Sequence, residues 1–181
     1  MNFKRRQFLT ARMFEADEAG NVIRRHENIN PSELPPLVLA YIGDAYYHLF
    51  IREKLLFFNQ SNVELLHTFA ARLVSATWQA GVYHHLAPQL TEEEQEIFRR
   101  GRNAKSHVPK SATVADYRIS TGLETLMGTL YLSGQHRRLQ ELVEAAFNFM
   151  AKEISVGGVG VVGDAVPKPL HGAPPLDPGR T

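Results

Sequence analysis

The sequence predicts an all-α domain. Two stretches, 37–50 (LVLAYIGDAYYHLF) and 117–132 (YRISTGLETLMGTLYL), read as helices that are apolar nearly all round, each interrupted by one carboxylate, Asp44 and Glu124. A helix without a wide polar face belongs in a core. Elsewhere apolar residues recur three and four apart: Leu65, Phe69 and Leu73 with Leu66, Ala70, Val74, Trp78 and Val82, and again Leu139, Leu142, Val143, Ala146, Phe147 and Met150. Capping pairs spaced by three residues, Ser61 with Glu64 and Thr91 with Glu94, mark two helix starts.

The chain opens with MNFKRRQFLTARMFEADEAG. Arg5 and Arg6 precede Phe8 and Leu9 as in a twin-arginine export signal, but Arg12, Glu15, Asp17 and Glu18 break the apolar run of roughly 7 to 15 residues that export needs. Residues 1–30 are therefore read as a leader, partly extended or mobile, ahead of a domain at 31–153. Its entry, NPSELPP at 30–36, is turn-rich, and Pro35 and Pro36 suit the approach and first positions of a helix running to about Phe58. A second helix starts at Ser61 and ends near Pro88. A third opens at Thr91: Glu92 and Glu93 complement its positive end, Arg99 and Arg100 its negative end, and Gly101 closes it. Next comes a polar interlude at 99–118, then the helix around Glu124. Gly122 and Gly128 flank that acid; a helical glycine costs about 1 kcal/mol relative to alanine, so both indicate a neighbouring helix at close range. The last helix follows Gly134. From 154 the composition turns to Gly and Pro, and 154–181 is read as a disordered tail. Gly158, Gly160 and Gly163 satisfy a GxGxxG spacing, yet Pro167 and Pro169 bar the helix that must follow and no βαβ half remains.

With 181 residues and 44% hydrophobic composition, the chain has room for one domain with a proper core and little for a second. A net formal charge of +1 does not announce a nucleic-acid binder, so any basic surface must come from local clustering. The absence of cysteine excludes disulfides, thiolate metal sites and a cysteine nucleophile, and agrees with a cytoplasmic location. No apolar run approaches the roughly 20 residues that span a bilayer, and no membrane association is expected. The eight histidines show no HExxH or other zinc spacing, and neither a P-loop nor a GxSxG elbow is present.

The chemistry rests on the two acids. A buried carboxylate is costly unless a cation, a metal or several donors meet it. For Asp44 alone, a Tyr, His or backbone donor suffices, and His48, one turn on, is a candidate. Two core helices that each present a lone acid are what a shared hard-cation site requires. The interlude RRGRNAKSHVPKSATVADYR sets Arg99, Arg100, Arg102, Lys105, Lys110 and Arg118 against the single acid Asp116, a cluster able to neutralise phosphates or simply to lie solvated.

IGDAYY around Asp44, RGRNAK at 100–105 and STGLETLMGTLYL around Glu124, in this order, resemble the ribonuclease III catalytic domain, and within it the short Mini-ribonuclease III subfamily. The resemblance runs from about Leu34 to about Phe149. It implies the helical fold of that catalytic domain and a magnesium-dependent endoribonuclease of double-stranded RNA, with Asp44 and Glu124 as catalytic metal ligands. It also implies RNA contact by Arg100, Arg102, Asn103, Lys105 and Lys110, a homodimer in which the Asp44 helix contributes to the interface, and large-subunit (23S) ribosomal RNA precursor as the substrate. Ordinary ribonuclease III carries further acids where this chain has Leu37, Ala40 and Thr121, and a double-stranded-RNA-binding domain where it has the Gly/Pro tail. That puts a second metal in doubt and leaves RNA grip to the catalytic domain. The other readings are a non-catalytic RNA-binding or ribosome-associated module on the same fold, and a helical interaction protein.

Overall fold

The computed structural model describes residues 3–110 and 112–156. Among them the chain is helical, with one isolated antiparallel bridge, and divides into two compact units on either side of the Asn30–Pro31 bond. Of the tail expected at 154–181, residues 154–156 are still helical, while the rest, with its GxGxxG spacing, lies outside the described residues.

In the first unit, α1 (Phe3–Met13) leads into a tight turn closed by the bridge Ala16–Val22. Asp17 Oδ1 accepts hydrogen bonds from the amides of Ala19 (3.0 Å) and Asn21 (2.9 Å), and Gly20 takes the left-handed φ of +84° that the turn requires. Arg25 ties the turn back by donating to the Arg12 carbonyl at 2.7 Å. The leader thus holds local structure.

The second unit begins with a 3-10 turn, Pro31–Glu33, and α2 (Pro36–Leu56), entered through Pro35 as the proline pair predicts. Then come α3 (Val63–Leu73), α4 (Ala76–Leu86), a 3-10 turn at Ala87–Gln89, α5 (Glu92–Arg102), α6 (Val114–Leu132) and α7 (His136–Val156). The single helix expected from Ser61 to Pro88 is two. Asn62, not Ser61, caps α3 by accepting from the Leu65 amide at 2.9 Å, and the chain leaves helical geometry at Ser75 before α4 starts. Apolar spacing of three and four continues across the break, so periodicity alone cannot reveal it.

The core forms around α6. It packs against α2, α4, α5 and α7, and from Ser120 to Leu130 every residue except Glu124 is buried. Its threonines are satisfied internally: Thr121 donates to the Tyr117 carbonyl (2.9 Å), Thr125 to Thr121 (2.7 Å) and Thr129 to Thr125 (2.7 Å). The expectation of an all-round buried helix holds for α6 and only half holds for α2. There Leu39, Ala40, Gly43, Tyr47, Phe50 and Ile51 face inward, while Tyr41 is 75% and Leu49 65% exposed.

Glycines set the spacing, as Gly122 and Gly128 predict. A methyl group at Gly128 would overlap the Leu39 carbonyl of α2, one at Gly43 the Glu124 carbonyl of α6, and one at Gly122 the Phe98 ring of α5. Gly101 does not end α5; it lies inside the helix against Thr125 and Gly122, and Asn103 is the C-cap. The Thr91–Glu94 capping box forms as read from the sequence. Buried Glu94 does more: it also accepts from Arg138 Nε (2.7 Å) and Nη2 (3.0 Å), pinning the start of α5 to the start of α7. The Arg138 guanidinium holds the Glu94 carboxyl below the usual carboxylate range.

Gly128→Ala should therefore destabilise the protein by about 3 kcal/mol, since two backbones must separate. Gly81→Ala, where a methyl meets only the Phe149 ring at an ordinary 3.7 Å, should be neutral or stabilising by up to about 1 kcal/mol. Urea unfolding of the pair checks the contrast.

Candidate active site

Asp44 and Glu124 are brought to one place by the α2–α6 crossing. Gly43 rests against the Glu124 backbone, so the next residue of α2, Asp44, lies near enough for its charge to act on the Glu124 carboxyl. The two acids differ in environment. The expectation that Asp44 is buried is overturned: its side chain is 50% exposed, because it lies where the inward face of α2 gives way to the open one. His48, one turn later, places Nε2 3.2 Å from Asp44 Oδ1. The largely buried acid is Glu124. Burial first, and the Asp44 charge after it, push its carboxyl up to about 7, against a hydrogen bond from Gln79 and the opposing influence of His48.

Gln79 belongs to this site and was not singled out from the sequence. It is 2% exposed on α4; its Nε2 donates to Glu124 Oε1 at 3.0 Å and to the Val74 carbonyl at 3.1 Å. A polar residue among Trp78, Ala80 and Val82 is the available signal, but a lone glutamine on a helix is ordinarily a surface residue.

The basic residues fall on the end of α5 and the segment after it. Arg100, Asn103, Lys105 and Lys110 are exposed and Arg102 is partly so, with Arg102 Nε 3.3 Å from Asn103 Oδ1. Gly101 packs on Gly122 and Thr125, the α6 residues on either side of Glu124 in sequence, which docks this basic end against the turn of α6 that carries the acid. Arg99 pairs with Glu96 at 2.7 Å.

Among the described residues no cluster of three or more His, Asp or Glu is placed to hold a metal. Two carboxylates within each other's field, one pushed up by burial and then by the other's charge, nevertheless fit a divalent cation that takes its remaining ligands from water and substrate. The positions that would supply further acids do not serve: Leu37 and Ala40 have no donor, and the Thr121 hydroxyl turns back onto its own helix.

A model of the ribonuclease III domain matches residues 37–135, which include both acids and the basic segment. The chain belongs to the ribonuclease III family. Within it, the protein is similar to the Mini-ribonuclease 3 of Symbiobacterium thermophilum, at 55% identity over 124 residues that cover 68% of this chain and 95% of that one. It is also similar to the Mini-ribonuclease 3 of Enterococcus faecalis, at 46% identity over 61% of this chain and 86% of that protein. A crystal structure of a Fusobacterium nucleatum protein superposes with a TM-score of 0.60 at 30% identity, covering 65% of this chain and 95% of that one. The ribonuclease III family acts on double-stranded RNA, generally depends on a divalent metal and is typically dimeric. This ribonuclease III protein is accordingly an endoribonuclease. Among the described residues no helix is long and apolar enough to cross a membrane.

The raised Glu124 has a thermodynamic consequence in metal-free protein. The folded state holds the proton more tightly than the unfolded chain, so the stability from this group is complete below pH 4.5 and lost as pH rises through about 7. That interval corresponds to about 3 kcal/mol at most. In EDTA, Glu124→Gln should gain on the wild type by about 2–3 kcal/mol between pH 4.5 and pH 8. Urea titrations across that range test it, and parallel curves would place Glu124 in a wetter setting.

Proposed function

We propose that this ribonuclease III protein is a magnesium-dependent, homodimeric endonuclease of the cytoplasm that cleaves duplex regions of the large-subunit (23S) ribosomal RNA precursor. Asp44 and Glu124 are its metal ligands and catalytic residues. The observation that carries the reading is the buried Glu124 carboxylate set against Asp44 across the α2–α6 crossing, a concentration of negative charge that a divalent cation would neutralise.

When bound, magnesium supplies a water made nucleophilic at neutral pH and a positive charge against the scissile phosphate. The residues do the rest. Glu124 would hold the ion with a buried carboxylate and Asp44 with a solvent-facing one, which would leave an open side for phosphate and water. His48 keeps a ring nitrogen on Asp44 and limits the rotation of that carboxylate. Arg100, Arg102, Lys105 and Lys110 meet backbone phosphates, and Asn103 both donates to and accepts from phosphate or 2′-hydroxyl, the groups through which RNA duplexes are read.

The homodimer is supported by the open face of α2. Val38, Tyr41 and Leu49 lie exposed along one side of the helix that carries Asp44, and a two-fold contact there would cover them while setting two Asp44–Glu124 pairs on one duplex, one for each strand. The maturation role is supported by similarity to proteins named Mini-ribonuclease 3 and by a catalytic domain that must grip its duplex unaided.

With a long RNA duplex and magnesium, the wild type should cut and EDTA should stop it. Asp44→Asn and Glu124→Gln should each lower kcat by about 10²–10³ or more while leaving duplex affinity within a few-fold. RNA binding without cutting by the wild type would instead make the protein a binding module. Alanine at Arg100, Arg102, Lys105 or Lys110 should raise KM and lower the salt slope of RNA binding by about one each, with kcat retained. Sedimentation of Tyr41→Glu should show monomers, whose loss of activity would exceed any loss of thermal stability.

A further inference from the structure

We propose that Gln79 is a positioning residue for the divalent cation: its amide locks the Glu124 carboxylate in the orientation that meets the ion and presents its own carbonyl oxygen to the ion's water shell. The inference rests on the reading of Glu124 as a metal ligand.

Three features of Gln79 go together. Its side chain, 2% exposed, reaches Glu124 Oε1 (3.0 Å) and the Val74 carbonyl (3.1 Å) with the same nitrogen. Both partners are acceptors, so chemistry fixes which end of the amide points at them: both N–H groups are spent there. The carboxamide oxygen is left as a pure acceptor. Among the described residues, Gln79 Oε1 is a buried side-chain polar atom without a hydrogen-bond partner in the protein. Fully buried polar atoms are ordinarily paired, and an exception beside a candidate active site points to a donor that arrives with the ligand.

The donor chemistry available at that place is water. Magnesium dehydrates reluctantly and keeps several waters alongside one or two carboxylates. A neutral acceptor adjoining Glu124 orients one such water without adding a third negative charge to a site where two already repel. A lysine or arginine at 79 would instead compete with the cation, and an aspartate or glutamate would deepen the repulsion.

The break between α3 and α4 makes this geometry available. Val74, whose carbonyl holds the first N–H, is the C-cap of α3, and Ser75 opens α4. In an unbroken helix the Val74 carbonyl would be taken by the backbone amide four residues on, that of Trp78. Here the Gln79 amide bonds to Ser75 O at 2.9 Å, and the Val74 carbonyl accepts from the Gln79 side chain instead. The discontinuity thus supplies one fixed point, Val74, and the carboxylate of α6 is held from it through a single side chain.

The test is Mn²⁺ binding, by calorimetry and by paramagnetic resonance of the free ion, on full-length wild type, Gln79→Met, Gln79→Asn, Asp44→Asn and Glu124→Gln. Methionine keeps the length without donors, and asparagine keeps the amide but is one methylene too short to hold both partners. Each should fold, as circular dichroism and Tm will report, and bind Mn²⁺ about 10- to 100-fold more weakly than wild type. The KM for RNA at saturating metal should stay unchanged, and added Mn²⁺ should restore much of kcat. A purely structural role would lower Tm and leave the affinity of the folded fraction alone. Wild-type affinity in either folded Gln79 variant, alongside loss in Asp44→Asn and Glu124→Gln, overturns the inference and spares the metal site. Unchanged affinity in those two acid variants overturns the metal-site reading, and this inference with it.

Discussion

The contact between the backbones of α2 and α6 governs the rest of the structure. Two acids on separate helices share a small volume only if the helix axes come closer than ordinary side chains permit. Gly43 and Gly128 remove the obstacle, each lying against the backbone of the opposite helix. The same contact seats the carboxylates at one level, because Gly43 touches the very residue, Glu124, whose side chain must meet Asp44. Gly101 and Gly122 repeat the device between α5 and α6 and dock the basic end of α5 on the same turn. A helical glycine is unfavourable in isolation, so its cost is offset here by the packing of a core helix on several neighbours.

The site is built on a gradient of burial. Glu124 is largely enclosed, Asp44 half open, and the arginines and lysines beyond are solvent-facing. Burial disfavours the charged form of Glu124, and in the proposed reading a divalent ion would offset that cost. Exposure of Asp44 leaves an open side that, in the proposed reading, has room for the bulky, anionic RNA backbone that a closed pocket would exclude. Gln79 makes the gradient usable, since it fixes the buried carboxylate without introducing a competing positive charge.

Elements whose signals are local were readable in advance. The capping box at Thr91 and Glu94 and the proline entry to α2 each depend on atoms within a turn of one another, and both formed; the glycines flanking Glu124 were legible because their cost inside a helix itself signals a close neighbour. Where the outcome depended on packing across the chain, reading failed. Apolar periodicity ran through Leu73, Val74 and Trp78 and hid the break at Ser75, because both helices turn apolar faces to the same core. The apolar character of α2 suggested a fully enclosed Asp44, whereas part of that character lies on an open face.

The sequence by itself determined the helical class, the presence of two isolated acids on apolar helices, the basic segment between them and, through the order of those motifs, the family. These are properties of spacing and composition, which are present in the unfolded chain. Only the tertiary structure decided which acid is buried, that Gln79 holds it, and that Glu94 anchors α7 through Arg138. Each of those depends on groups between 44 and 80 residues apart in sequence, such as Asp44 and Glu124, whose separation is set by how closely the intervening helices pack. Burial, and the electrostatics that follow from it, come into existence with that packing.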